Sequence, residues 1–114
     1  MNITEKIKSF EDALAANGET LDQFNERTKN DTPDEVGYKK IKAIVLALNE
    51  GETVKSGYWP WFRRVSSGVS LSCYGYDDDL EFAAVGSRLL LKSSSLARYA
   101  GEQFPAEYKE WIDG

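Results

Sequence analysis

Residues 58–92, YWPWFRRVSSGVSLSCYGYDDDLEFAAVGSRLLLK, constrain the fold of this 114-residue chain more than any other stretch. Apolar and aromatic residues alternate there with small or charged ones. Two clusters of turn residues, Ser66-Ser67-Gly68 and Asp77-Asp78-Asp79, cut the stretch into three. A period of two bounded by turn residues is the pattern of half-buried strands. It predicts strands over 58–65, 69–76 and 82–92, joined as a three-stranded antiparallel meander. In the second strand Val69, Leu71 and Cys73 face one way and Ser70, Ser72, Tyr74 and Tyr76 the other. In the third, Val85, Leu89 and Leu91 share a face opposite Arg88 and Lys92. Pro60 has no backbone donor, which assigns the first strand to an edge.

Helical patterns flank this stretch. A first helix is expected over 3–16, with Asn2 and Glu5 as a capping box and Ile3, Ile7, Phe10 and Leu14 as its apolar stripe. Gly18 supplies its stop. Thr20 and Gln23 repeat the capping pattern for a short helix anchored by Leu21 and Phe24, with 25–31 read as loop. The third helix has the strongest signals. Thr32-Pro33-Asp34-Glu35 combines a cap, a proline at the first helical position and acids in the first turn. Ile41, Ile44, Val45 and Leu48 follow at helical spacing; Ala43, Leu46 and Ala47 widen that face, Lys39, Lys40 and Lys42 point outward, and Gly51 closes the helix. A last helix is expected over 95–112, broken or kinked at Pro105. The resulting expectation is one α+β domain over 1–114: N-terminal helices, the meander, and a C-terminal helix packed with the third helix on one sheet face.

Composition narrows the function classes. A chain with 41% apolar and 12% aromatic residues can build a core rather than remain disordered. One cysteine, Cys73, permits no intrachain disulfide and fits a reducing compartment. No apolar run is long enough to span a membrane, and the polar N-terminus is unlike a secretory signal, so a cytoplasmic setting is expected. Histidine is absent, which removes the commonest general base and metal ligand. The net charge is -5, but residues 54–98 carry six basic and four acidic side chains. The middle of the chain is thus locally basic within an acidic whole, a poor overall balance for gripping phosphates.

Candidate chemistry is sparse. Asp77, Asp78, Asp79 and Glu81 could offer oxygen ligands to a cation, but they lack the spacing and glycine of an EF-hand and read better as a solvated hairpin tip. Cys73 sits between Ser72 and Tyr74 with no histidine to activate it, and reads as a small core residue. Arg88, after Gly86, is open to two readings: an anion ligand, or a partner of the acidic turn. The strongest candidate binding set is Tyr58, Trp59, Trp61, Arg63 and Arg64, joined by Tyr74, Tyr76, Arg88 and Lys92. Aromatics interleaved with arginine suit protein interfaces and also single-stranded nucleic acid. They equally suit a sheet face packed against helices. No glycine-rich phosphate loop, metal set or paired catalytic carboxylates can be defined, so no cofactor is expected.

Several phrases in order, SFEDAL at 9–14, IVLALNEG at 44–51, YWPWF at 58–62, VGSRLLLKS at 85–93, LARYAGEQF at 96–104 and EYKEW at 107–111, carry a resemblance. Together they resemble uncharacterised small proteins encoded by phages and integrated mobile elements of gut bacteria, over most of the chain from Ser9 onward. The chain departs from that group in its short loop after Gly51 and in Pro105, where the group continues a helix. The resemblance implies a mobile-element origin and an intracellular setting, and no activity. The leading expectation is a non-enzymatic protein acting through protein contacts. Single-stranded nucleic-acid binding is the alternative, and an enzyme using carboxylates and arginines ranks below both. The sequence leaves the partner and the oligomeric state open.

Overall fold

The computed structural model describes residues 2–52, 57–64, 71–77 and 89–113, with 59–64, 71–77 and 112–113 at the level of the backbone. Six helices are present among them: α1 (Ile3–Lys6), α2 (Phe10–Ala16), α3 (Leu21–Thr28), α4 (Pro33–Leu48), α5 (Ser94–Gln103) and α6 (Pro105–Asp113). Among the described residues, strand structure is confined to a two-stranded antiparallel ribbon, β1 (Trp59–Arg64) with β2 (Leu71–Asp77), and one isolated bridge between Tyr58 and Leu91. The molecule is therefore mostly helical, and the expected α+β meander is overturned. In a meander the third strand would lie beside the second. Here Leu91 pairs instead with Tyr58, at the head of β1. Leu89 lies in a 3₁₀ turn and Lys92 in a bend, so the described end of the expected third strand is not a strand. Its residues 82–88, with Val85, Gly86 and Arg88, lie outside the described residues.

Helix α4 takes the position expected for a sheet. Ile41, Ile44, Val45 and Leu48 are all buried to within 1% of complete. Its near neighbours are α2, α6 and α5, and the ribbon lies chiefly along α5. Phe24 from α3, Leu14 from α2, Leu96 from α5 and Phe104 from the α5–α6 joint enter the same cluster. So do Leu89 and Leu91, whose irregular backbone lays both side chains inward. Phe10 meets Phe24 edge to face at 4.9 Å between centroids, a geometry that favours aromatic pairs.

The helix boundaries have local causes. The expected single helix over 3–16 is divided at Ile7, whose backbone is extended. Asn2 caps Thr4 rather than pairing with Glu5. Ser9 then starts α2: its Oγ accepts from the Asp12 amide at 3.1 Å, and Asp12 Oδ2 accepts from the Lys8 amide at 3.0 Å. The break frees carbonyls, and α5 collects them. The Tyr99 hydroxyl donates toward both Thr4 O at 2.9 Å and Ile7 O at 2.6 Å, while Gln103 donates to Lys8 O at 2.7 Å. The reciprocal cap of Thr20 and Gln23 is present, and α3 continues through four residues expected to be loop, as far as Thr28. At the end of α4 the left-handed position belongs to Glu50 (φ 56°), followed by Gly51. The Glu50 and Gly51 amides donate to Ala47 O and Leu46 O, sealing the helix end. Pro105 ends α5 and opens α6, with Phe104 as the joint.

The α4–α6 contact depends on Gly37. A Cβ there would fall about 2.6 Å from the Glu110 carbonyl carbon and inside contact distance of the Trp111 backbone. Gly37→Ala gains up to about 1 kcal/mol of helix propensity, but the overlap with backbone atoms costs more. The net expectation is a loss of about 2 kcal/mol, read as a lower urea midpoint with an unchanged slope.

Tyr99 gives a second test. Its hydroxyl is held above the usual phenol range, first by burial and then by the Asp12 carboxylate. The unfolded phenol therefore ionises at lower pH than the folded one. The stabilisation is complete below the unfolded value near 10 and is lost as pH rises through the folded value. Tyr99→Phe should lose about 1–2 kcal/mol at neutral pH, because two carbonyls lose their donor. It should also remove part of the alkaline fall in stability, measured by urea melts from neutral to alkaline pH.

Candidate functional site

The ribbon brings most of the candidate residues onto one element. Trp59 pairs with Asp77, Pro60 with Tyr76, Trp61 with Gly75, Phe62 with Cys73, Arg63 with Ser72 and Arg64 with Leu71. The register shifts between Trp61 and Phe62, which leaves Tyr74 without an opposite residue, as in a β-bulge. The strict alternation that divided 69–76 into two faces is interrupted there. At about 3.3 Å per residue, Trp59 and Arg63 lie some 13 Å apart along β1. Aromatic positions thus gather at the end joined to Leu91, and the arginine positions at the other. Tyr58, half-buried, exchanges both backbone hydrogen bonds with Leu91, at 2.8 and 2.7 Å. Arg88, Asp78, Asp79 and Glu81 lie outside the described residues.

Lys92 departs from its expected place. It does not share a strand face with the aromatics; its ammonium bonds Glu50 at 3.0 Å and approaches Glu52 at 3.6 Å. The Glu50 hydrogen bond raises the Lys92 pKa above its ordinary value, with the charges of Glu50 and Glu52 adding to it. Its backbone is fixed as well. Asn49, 2% exposed, accepts from the Lys92 amide at 3.0 Å and donates to Leu90 O at 2.9 Å. One buried amide thereby ties the end of α4 to the segment that holds the ribbon. Asn49→Ala strands both backbone groups and should cost about 2–3 kcal/mol. Lys92→Met, which removes only solvent-screened contacts with Glu50 and Glu52, should lower the melting temperature much less than Asn49→Ala does. Equal losses in thermal melts of the two variants would contradict this division.

A second feature, absent from the sequence reading, is an open cleft of about 540 Å³ between the α2–α3 connection and the outer face of α4. Lys39, Lys42, Ala43 and Leu46 line its α4 side, and Asn17, Gly18, Glu19, Gln23 and Arg27 the other. Asn17 pins the two sides together by donating to Ala43 O at 3.0 Å. Arg27 grips Glu19 through Nε at 2.6 Å and Nη2 at 2.9 Å and lies 4.6 Å over the Phe24 ring. That hydrogen bond, despite partial burial, holds the Glu19 carboxyl below its usual range. Lys39 bonds Asp31 at 2.6 Å. Leu46, expected to widen the core face, is 39% exposed. The three expected outward lysines also separate: Lys40 turns to Glu110 at 2.8 Å and sits 5.6 Å from the Phe10 ring, whereas Lys42 stays in the cleft. The spacing 39, 42, 46 is a readable sign of a shared face, obscured in the sequence because Leu46 has the same apolar character as the core positions beside it.

Among the described residues no group of histidine, cysteine, aspartate and glutamate side chains could hold a metal ion. No helix there is long and apolar enough to cross a membrane. No family model, curated protein or solved structure matches the chain.

Proposed function

We propose that this is a non-enzymatic protein of phage or mobile-element origin that acts in the cytoplasm through protein contacts made by the β1–β2 ribbon. The observation that carries this reading is the antiparallel register. It gathers Trp59, Trp61, Arg63, Arg64, Tyr74 and Tyr76 on one two-stranded element that lies along α5. Trp, Tyr and Arg are the residue types that dominate binding energy at protein interfaces. The origin and setting rest on the resemblance of the quoted phrases.

Adjacent Arg63 and Arg64 on β1 favour one alternative, binding of single-stranded nucleic acid. Two facts weigh against it: Lys92 is neutralised by Glu50 and Glu52, and the whole chain carries -5. Affinity capture from a bacterial host lysate, comparing wild type with Trp61→Ala, separates the readings. The variant should melt within about 3 °C of wild type, as for a small stability change, and should lose a specific partner. Identical captured sets would refute the protein-contact reading. Oligothymidine binding that weakens about tenfold or more on raising salt, and vanishes in Arg63→Glu/Arg64→Glu, would establish the alternative instead.

A further inference from the structure

We propose that the cleft between the α2–α3 connection and α4 is a second binding site, and that its occupant is an acidic polypeptide segment carrying one apolar side chain. The site is separate from the ribbon and does not depend on the reading given for it.

The argument begins with spacing. Lys39, Lys42 and Leu46 stand at i, i+3 and i+7 of α4, which places them on one face. That face is not the buried one, which is formed by Ile41, Ile44, Val45 and Leu48. The cleft therefore presents two ammonium groups and an exposed leucine from one rigid helix. Arg27 faces them from α3.

The donors are only partly used. Arg27 spends Nε and Nη2 on Glu19, leaving Nη1 uncommitted, and Lys39 spends one proton on Asp31. Lys42 has no ion pair or hydrogen bond among the described residues, as is also true of the Lys6, Lys8 and Lys109 side chains, but of these lysines it alone lines the cleft, beside the paired Arg27 and Lys39. Arg27 and Lys39 are balanced by Glu19 and Asp31, so Lys42 leaves the cleft with one surplus positive charge in a chain of net charge -5. An anionic partner would be drawn to it. Leu46 decides what kind of anion. A phosphate or a nucleic-acid backbone gains nothing from an apolar side chain 39% exposed at the site. A peptide gains from covering it, by about 25 cal/mol for each Å² removed from water.

The walls are set before binding. Asn17 holds the α2 end against Ala43 O, and the reciprocal Thr20–Gln23 cap fixes the start of α3. A rigid cleft loses little entropy when occupied.

The test uses the full chain, isotope-labelled, titrated with a short synthetic peptide of glutamates flanking one leucine. Amide shifts should concentrate at Lys39, Lys42, Leu46 and Gln23. Lys42→Glu should weaken the binding about tenfold or more, Leu46→Ser should weaken it to a lesser degree, and Trp61→Ala should leave it unchanged. Each variant is checked by thermal melting for an intact fold. Shifts confined to the ribbon, or equal binding to Lys42→Glu, would overturn the proposal. So would equal or tighter binding of inorganic phosphate or oligothymidine at the same residues. Self-association that disappears in Lys42→Glu, seen by sedimentation without peptide, would assign the cleft to a second copy of this chain and also overturn it.

Discussion

Burial of one face of α4 is the constraint on which the other elements depend. It is the longest helix at 16 residues, while α1, α2, α3, α5 and α6 have 4, 7, 8, 10 and 9. Isolated helices shorter than about 12–15 residues are marginal in water. The five short ones must therefore gain their stability from packing rather than from their own hydrogen bonds. Ile41, Ile44, Val45 and Leu48 supply the surface, and Leu14, Phe24, Leu96 and Phe104 pack into the same cluster. Each large apolar side chain buried there contributes about 1.5–3 kcal/mol, enough to hold a one- or two-turn helix but not to spare many. Gly37 sets the closest approach of α6 to α4, so the missing side chain at one position governs where Trp111 and Tyr108 can reach the core.

Packing alone would leave the irregular segments loose, and side-chain-to-backbone hydrogen bonds address that. Tyr99 and Gln103, one turn apart on α5, take the carbonyls freed by the break between α1 and α2. Asn49 does the same for the segment after Leu89. Both clips span long stretches of sequence, and Tyr99 and Asn49 satisfy backbone groups that are partly or fully removed from water. The ribbon joins the helical body through this second clip, because Tyr58 pairs with Leu91, and Leu91 lies between the two residues that Asn49 holds.

These two devices mark the limit of what the sequence discloses. The cap of α3, the proline start of α4 and the break at Pro105 are local events, and residues within a few positions of one another determine them. The break at Ile7 was also written locally, in Ser9 and Asp12, but a continuous stripe of Ile3, Ile7, Phe10 and Leu14 outweighed it. Period-two alternation suggested a third strand over 82–92. Leu89, Leu90 and Leu91 are instead three consecutive buried residues, satisfied by Asn49 and Tyr58 from elsewhere in the chain. Period cannot separate a strand from an irregular segment lying in a core when the deciding partners, Tyr58 and Asn49, lie far back in the chain. The candidate binding residues were legible as residue types, and the ribbon explains why most of them share an element. Lys92 was not legible, because its partners lie at the end of α4.

Charge shows the same limit more sharply. Summed along the sequence, the basic region is 54–98, and the first 53 residues are acidic. In three dimensions Lys92 belongs electrostatically to Glu50 and Glu52 from the acidic half, so part of the middle region's surplus disappears. Meanwhile the acidic half carries Arg27, Lys39 and Lys42 around one cleft, with Lys42 uncompensated. Interactions between exposed charges fade beyond about 8–10 Å at ordinary ionic strength. A partner therefore meets the local arrangement of charge, not the sum over a window of sequence. For the first 53 residues the two disagree in sign: their sum is acidic, yet Lys42 leaves a surplus positive charge at the cleft beside α4.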